Sequence, residues 1–415
     1  MNSSNPGAAP LSALPEHLGL AALLRLHLAG ADLGPLLEAL IQRATENPHD
    51  ACSLLDAGII FQFRNAQDLA LNLQQEALKL RRHFCLPATR LVKLRLLALM
   101  APGDLMSNVP IECLLEDSDI ELNIFYATGV DDDLSEIPEH DALFVAISET
   151  EANRPILGAW LPVLAEWPRP VINNPFHIER VARDTAARLL HDLPGVLMPP
   201  TWRVGRAELE QITVDYPARN GFPEGIDFPL IVRPVDSHAG HDLNKIDTPA
   251  QLLENLAAMP GEELFVAPFV DYSGSDGLFR KYRVVLIDGQ PFACHMGISD
   301  HWMIHYLNAG MAEDPEKRAE EARFMATFEQ EFALRQGAAL AEIHRCIDLE
   351  YLGIDCAETL DGRLLVFEID HAMVVHAMDP IEVYPYKQAT MHKLFGAFRA
   401  MIFRKAGVPM AALAE

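Results

Sequence analysis

Residues 351–370, YLGIDCAETLDGRLLVFEID, constrain this chain more than any other stretch: a largely apolar run in which three of the carboxylates, Asp355, Glu368 and Asp370, sit within the apolar segments. Residues 351–357 read as a strand, Asp361-Gly362 as a two-residue hairpin turn, and residues 364–370 as a second strand. Such a hairpin returns Asp355 over Glu368. Strand alternation puts Glu368 and Asp370 on one face, with Phe367 and Ile369 on the other. Three anions then converge on a small volume, and the usual remedies are a hard cation with oxygen ligands or a raised pKa on one member. Magnesium is the economical reading, and magnesium held by two or three carboxylates usually also holds phosphate oxygens. The competing reading, an acidic face shown to solvent, fits an apolar hairpin poorly.

The chain has 415 residues, half of them hydrophobic, which is enough for two or three domains with their own cores. Its formal net charge of -26 argues against a sequence-independent grip on nucleic acid or on an anionic membrane, since both need an excess of Lys and Arg. The six cysteines (Cys52, Cys85, Cys113, Cys294, Cys346, Cys356) show no C-x-x-C spacing and suit a reducing compartment. No run reaches the roughly 18 apolar residues needed to cross a bilayer, and the first residues lack a basic, apolar leader. A soluble, cytoplasmic protein is expected.

Apolar residues recur at three- and four-residue intervals from about residue 16 to 90, which predicts two helical hairpins. In the second, Leu54, Gly58, Phe61, Ala70 and Ala77 fall at spacings that resemble a tetratricopeptide repeat. Two roles stay open for this region: a groove for a peptide or protein, or an apolar flank that packs on the next domain or on a second copy in a homodimer. From residue 91 the pattern becomes short apolar runs separated by helices (KLRLLALMA, IELNIFYATG, HDALFVAIS, PVINN), which predicts a small parallel sheet. Gly103 and Gly129 follow strand ends without a full phosphate-loop pattern and read as turn residues.

Gly353-Ile354-Asp355, a D-G turn and an apolar strand ending in Glu368-Ile369-Asp370 together resemble the metal-binding end of the ATP-grasp carboxylate-amine ligases, of the glutathione synthetase and RimK-type branch. Asp370 stands where that family usually has Asn. The likeness extends over roughly residues 165–380 and implies an ATP-grasp fold that binds ATP and magnesium. It implies that residues 228–246 form a lid hairpin in which Arg233 replaces the expected Lys, with Ser237, His238 and Gly240 folding over phosphate. It places Ala267, Phe269 and Val270 against adenine, Asp271 toward the ribose, Arg283 and Lys281 at the terminal phosphate, and Asn308 at the closing segment. A helix lysine expected in the family is replaced by Asp184, with Arg180, Arg183 and Arg188 nearby, and the second arginine expected near Ile298 is missing. The likeness thus makes Arg283 and Arg233 the catalytic cations and Asp355, Glu368 and Asp370 the metal ligands.

The expected architecture is an α/β chain in three parts: a helical TPR-like region (1–90), a pre-ATP-grasp α/β domain (91–200) and an ATP-grasp domain (201–415). The implied activity is ATP-dependent ligation of a carboxylate to an amine, on a small-molecule or peptide substrate. Loss of catalysis in a scaffold, or phosphoryl transfer without ligation, are the alternatives. His295, His301, His305, His371 and His376 lack a zinc spacing such as H-E-x-x-H and read as a substrate pocket or as ordinary buried histidines.

Overall fold

The apolar periodicity of the first 80 residues becomes four helices, α1 (Gly19–Leu28), α2 (Gly34–Glu46), α3 (Ala51–Phe63) and α4 (Gln67–Leu80). The computed structural model describes residues 14–129, 132–216, 222, 226–237 and 240–409. Helices α3 and α4 approach closely because Gly58 has no side chain: a Cβ there would stand 3.1 Å from the Ala70 carbonyl oxygen. Ala70 and Ala77 are fully buried in the same seam. Leu55 is buried in place of the expected Leu54, which is only partly covered. A stacked array needs about three such hairpins, and four helices supply at most two.

Helix α1 has no capping side chain of its own. Its cap comes from distant residues: Asp56 accepts from Leu18 N (2.8 Å) and Gly19 N (3.0 Å), and Glu112 Oε2 accepts from Ala21 N (2.9 Å). His17 Nδ1 lies 2.9 Å from Asp56. This network fastens the helices to the sheet that follows.

That sheet contains β1 (His83–Leu86), β2 (Leu94–Met100), β3 (Ile120–Tyr126), β4 (Ala142–Val145) and β5 (Val171–Ile172) in the order β1-β3-β2-β4-β5, with α5 (Ile111–Leu114) and α6 (Arg154–Ala165) in the connections. Strands β2 to β5 run parallel, as expected. The edge strand β1 pairs antiparallel with β3 and was not expected: HFCL is too short to carry a period and followed a helical pattern directly.

A short helix α7 (Pro175–Ile178) leads to α8 (Arg183–Leu190) and β6 (Val196–Leu197). Next come β7 (Trp202–Gly205), α9 (Arg206–Asp215), β8 (Leu230–Pro234), β9 (Asn244–Ile246), α10 (Pro249–Ala258) and β10 (Glu263–Pro268). They make an antiparallel sheet of order β7-β10-β8-β9 over a core that includes Leu209, Leu230, Val232 and Leu264. The expected lid hairpin is β8 paired with β9.

A third sheet holds β11 (Phe279–Ile287), β12 (Gln290–Ser299), β13 (Tyr351–Glu358) and β14 (Leu364–Asp370), with β6 parallel at the edge, in the order β12-β11-β13-β14-β6. The β11–β12 turn is the two-residue Asp288-Gly289, both at positive φ. The β13–β14 loop is longer than the expected two residues. It spans residues 359–363, closed by Thr359 N donating to Arg363 O (3.0 Å) and Gly362 N to Thr359 O (2.9 Å), because the Thr359 hydroxyl also accepts from Arg363 N and widens the turn. The charged and apolar stretch that follows β12 forms two helices, α11 (Pro315–Ala326) and α12 (Phe332–Ile347). The break lets Phe328 and Phe332 stack at 5.6 Å beside Phe324 and Tyr282.

The last helix, α13 (Lys387–Lys405), sets Phe398 edge-on to Phe144 of β4 (5.7 Å), and Arg399 grips both oxygens of Asp119 at 2.6 Å. The chain divides into two compact units, Met1–Phe176 with Ala372–Glu415, and His177–His371. The boundaries expected near residues 90 and 200 fall inside these units. The first does so because the α1 cap joins helices and sheet; the second, because β6 belongs to the β14 sheet.

Candidate functional site

Within the second unit one row of residues crosses four strands. His295 of β12 stands opposite Arg283 of β11, Arg283 opposite Asp355 of β13, and Asp355 opposite Glu368 of β14. The register shifts beside this row on both flanks, between Arg283 and Val284 against β12 and between Asp355 and Cys356 against β14. Such bulges bend a strand and re-aim its side chains.

Alternation divides the cation triplet of β11. Arg280 points away, to Asp276 and Glu320. Lys281 and Arg283 point to Asp355: Lys281 Nζ lies 2.8 Å from Oδ2, and Arg283 donates Nε to Oδ1 (2.7 Å) and Nη2 to Oδ2 (3.0 Å). Asp355 is 2% exposed. Burial would raise its pKa, but Arg283 and Lys281 outweigh that and hold the carboxyl far below the usual range. Burial likewise opposes the Arg283 charge, and Asp355 overrides it and raises the guanidinium pKa.

Glu368 pairs with Arg183 at the start of α8. Burial pushes Glu368 up, and Arg183 with Arg233 more than compensates, so its pKa is lowered. Arg183 stood among the charged residues of an ordinary helix face in the sequence. Its partner lies 185 positions away, and no local signal reports such a pairing.

Arg233 of β8 is 8% exposed, and its guanidinium donates to Ser237, from Nε to Oγ at 2.9 Å and from Nη2 to the carbonyl oxygen. No carboxylate among the described residues pairs with it. Burial, and then Arg183, lowers its pKa to about 9, with Glu368 offsetting them only in part. Four cations (Arg183, Arg233, Lys281, Arg283) thus meet two carboxylates, with Asp370 two residues on along β14. His305 is held below its usual pKa by burial, then by Lys281 and Arg283. His295 stacks on Tyr306 (4.5 Å), whose hydroxyl donates to the fully buried Glu321; Glu321 also accepts from Met296 N (3.0 Å) and fixes the edge strand.

The structure therefore groups Arg233, Ser237, Lys281, Arg283, Asp355 and Glu368. The other expected residues have other surroundings. Ala267 ends β10. Phe269 lies against Trp302 (5.7 Å) with Lys245 Nζ 4.7 Å from its ring, and Val270 packs beside Tyr272 and Leu365. Asp271 accepts from Ser273 N (2.9 Å), which with the Ser273 hydroxyl lowers its pKa. Asn308 accepts from His305 N (3.0 Å). Gly240 sits at φ +77 with Met303 beside it, and His238 lies outside the described residues. Asp370 has His371 Nδ1 at 3.7 Å.

Among the described residues no three of His, Cys, Asp or Glu form a group that could hold a metal ion. The expected meeting of three carboxylates around an external cation is replaced, at Asp355, by cations of the chain itself. Magnesium asks for less than a full protein cage, since it keeps several waters and takes one or two carboxylates with substrate phosphates. Glu368 and Asp370, on one face of β14, fit that requirement. No described helix is long and apolar enough to cross a membrane.

No protein-family model matches the chain. Among curated proteins, 112 residues are 30% identical to antigen peptide transporter 2 of Mus musculus; the match covers 26% of this chain, which spans only 15% of that protein. Among solved structures, the D-alanine–D-alanine ligase from Bacillus anthracis complexed with ATP is similar at TM-score 0.41 and 13% identity, over 74% of this chain and 98% of that one. The D-Ala:D-Ser ligase from Enterococcus faecalis gives 0.44 and 12%, over 74% and 99%. A RimK domain ATP-grasp protein from Sphaerobacter thermophilus gives 0.39 and 15%, over 71% and 98%. Likeness this distant transfers no reaction and no substrate.

Proposed function

We propose that the chain is an ATP-dependent ligase of the ATP-grasp type, joining a carboxylate to an amine through an acyl phosphate on a small-molecule or peptide substrate. The observation that carries this reading is Arg233: a buried guanidinium with no carboxylate of its own, facing Arg183 beside a row that already holds Lys281 and Arg283. Four converging cations against so few anions, in a protein of net charge -26, fit a polyanion such as a triphosphate. The residue pattern of β13 and β14 supports the same reading.

The residues would divide the work. Arg283 and Lys281, held in place by Asp355, would meet charge developing on the transferred phosphoryl group, and Arg233 and Arg183 would bind the neighbouring phosphates. A substrate carboxylate would attack the terminal phosphorus, ADP would leave, and an amine would then displace phosphate from the acyl phosphate. Glu368 and Asp370 would hold magnesium, whose chemistry there is to neutralise phosphate oxygens.

The test is a thermal-shift series with ATP and ADP, each with and without magnesium. A rise that needs both nucleotide and metal supports the site and opens a screen of carboxylates and amines for phosphate release. No rise under any condition sinks the nucleotide reading. A rise without turnover on any pair would favour a scaffold that keeps the fold and binds without catalysis.

A further inference from the structure

The first unit carries a cavity of about 50 Å³. It lies among α1, α3 and α4 and the carboxyl ends of β2 and β3, at Met100 and Tyr126. Space on that scale takes roughly three or four waters, or a ligand with about that many heavy atoms. The carboxyl ends of parallel strands are where sheets of this kind commonly receive ligands.

Its walls divide by chemistry. Leu20, Ile59, Val109 and Ile111 supply apolar surface, and Glu112 and Tyr126 supply polar groups together with the amides of Gln62, Gln74 and Asn108, of which Gln74 is bound to Gly103 and Asn108 to Ala101; Asp104 is exposed at the rim, and no Lys, Arg or His lines it. Tyr126 is 8% exposed, with its ring edge-on to Phe84 at 5.9 Å. Its hydroxyl has no hydrogen-bond partner among the described residues, so it is free to bond to whatever occupies the cavity. Glu112 accepts from Ala21 N and also from Leu20 N, and a carboxylate offers about four lone-pair sites, so acceptor capacity remains. Asp56, the next carboxylate, is already matched by His17 at 2.9 Å. The cavity is therefore electronegative and half apolar, and it contains an unanswered hydroxyl.

We propose that this cavity binds a small primary ammonium on a short alkyl stem, with Glu112 as counter-charge, the Tyr126 hydroxyl as acceptor and Leu20, Ile59, Val109 and Ile111 around the stem. An ammonium brings three donors and no acceptor, which suits a site whose groups accept. The proposal is independent of the ligase reading and needs no nucleotide.

The test uses the full chain without nucleotide at about pH 8.5, above the raised Glu112 pKa, so that the carboxylate is ionised while an alkylammonium keeps its proton. Isothermal titration compares n-propylammonium, 1-propanol and propionate at equal ionic strength, three probes of nearly one shape and different charge. The expected result is binding of propylammonium alone, weakened about tenfold or more in Glu112→Gln, which loses the charge, and by a smaller factor in Tyr126→Phe. The glutamine keeps an oxygen for Ala21 N. Should it still disturb the fold, Ile59→Phe, which fills the space and leaves Glu112 in place, must abolish binding. Propanol binding as tightly as propylammonium, or binding that survives in Glu112→Gln or Ile59→Phe, overturns the proposal. So does no binding of any probe, which would leave the space to water.

Discussion

Arg233 and Asp355 are opposite cases of a buried charge. Asp355 is fully answered, by Arg283 and Lys281, so removing its charge leaves two cations facing one another. Asp355→Asn is expected to cost the second unit about 3–5 kcal/mol, read as a fall in its unfolding midpoint. The pH dependence has the same origin. A carboxylate with a lowered folded pKa contributes stability that is present above its unfolded value, near 3.8, and is lost as pH falls below it. The second unit should therefore unfold on acidification below that value, and the Asn variant should show a flatter acid limb. Arg233 hydrogen-bonds to Ser237 and is offset only in part by Glu368, so its charge is a standing cost. Arg233→Met is expected to leave the ligand-free midpoint unchanged or higher while abolishing the shift produced by ATP and magnesium. A midpoint drop together with a retained nucleotide shift would show that the guanidinium serves packing alone. The shared face of Glu368 and Asp370 was legible because strand alternation fixes facing, whereas Arg233 and Arg283 were named only through the family resemblance. Their partners were not legible: Arg183 reaches Glu368 across 185 positions, and only the folded chain decides that Asp355 takes cations from β11.

At the scale of elements, α1 is capped by Asp56 and Glu112 from other elements. Burial pushes Glu112 up to about 7, which His17 and the helix N–H groups only partly offset. Burial pulls the His17 imidazole down, but Asp56 and Glu112 outweigh it and its pKa lies above 6.5. Both groups hold protons in the folded state that the unfolded chain has released, so their contribution is present at lower pH and is lost as pH rises through about 7. The first unit should melt higher near about pH 6 than near about pH 8, and Glu112→Gln should remove most of that slope. The helices themselves were readable from their period. The cap was not, because its acceptors lie 37 and 91 positions away. The bulges beside Arg283 and Asp355 escaped notice for a related reason: one extra residue in a strand is a property of the pair, and the sequence shows each strand alone.

At the scale of the molecule, a net charge of -26 repels itself, and the row with its four cations against two carboxylates is a positive island in that field. Salt should then act in two directions. Raising it from about 0.01 to about 0.15 M should lift the unfolding midpoint by screening repulsion, and should weaken nucleotide binding by screening the four cations. The two-unit division has a different consequence, which concerns synthesis. The first unit is closed by α13, whose Phe398 and Arg399 fasten to Phe144 and Asp119, and those residues leave the ribosome after the whole of the second unit. Domains generally fold as they emerge, but here the unit begun first must wait for its final helix while the inserted one completes. A nascent chain stalled soon after His371 should hold a protected second unit and a protease-sensitive β2–β4 region, and that region should become resistant only once α13 has been released.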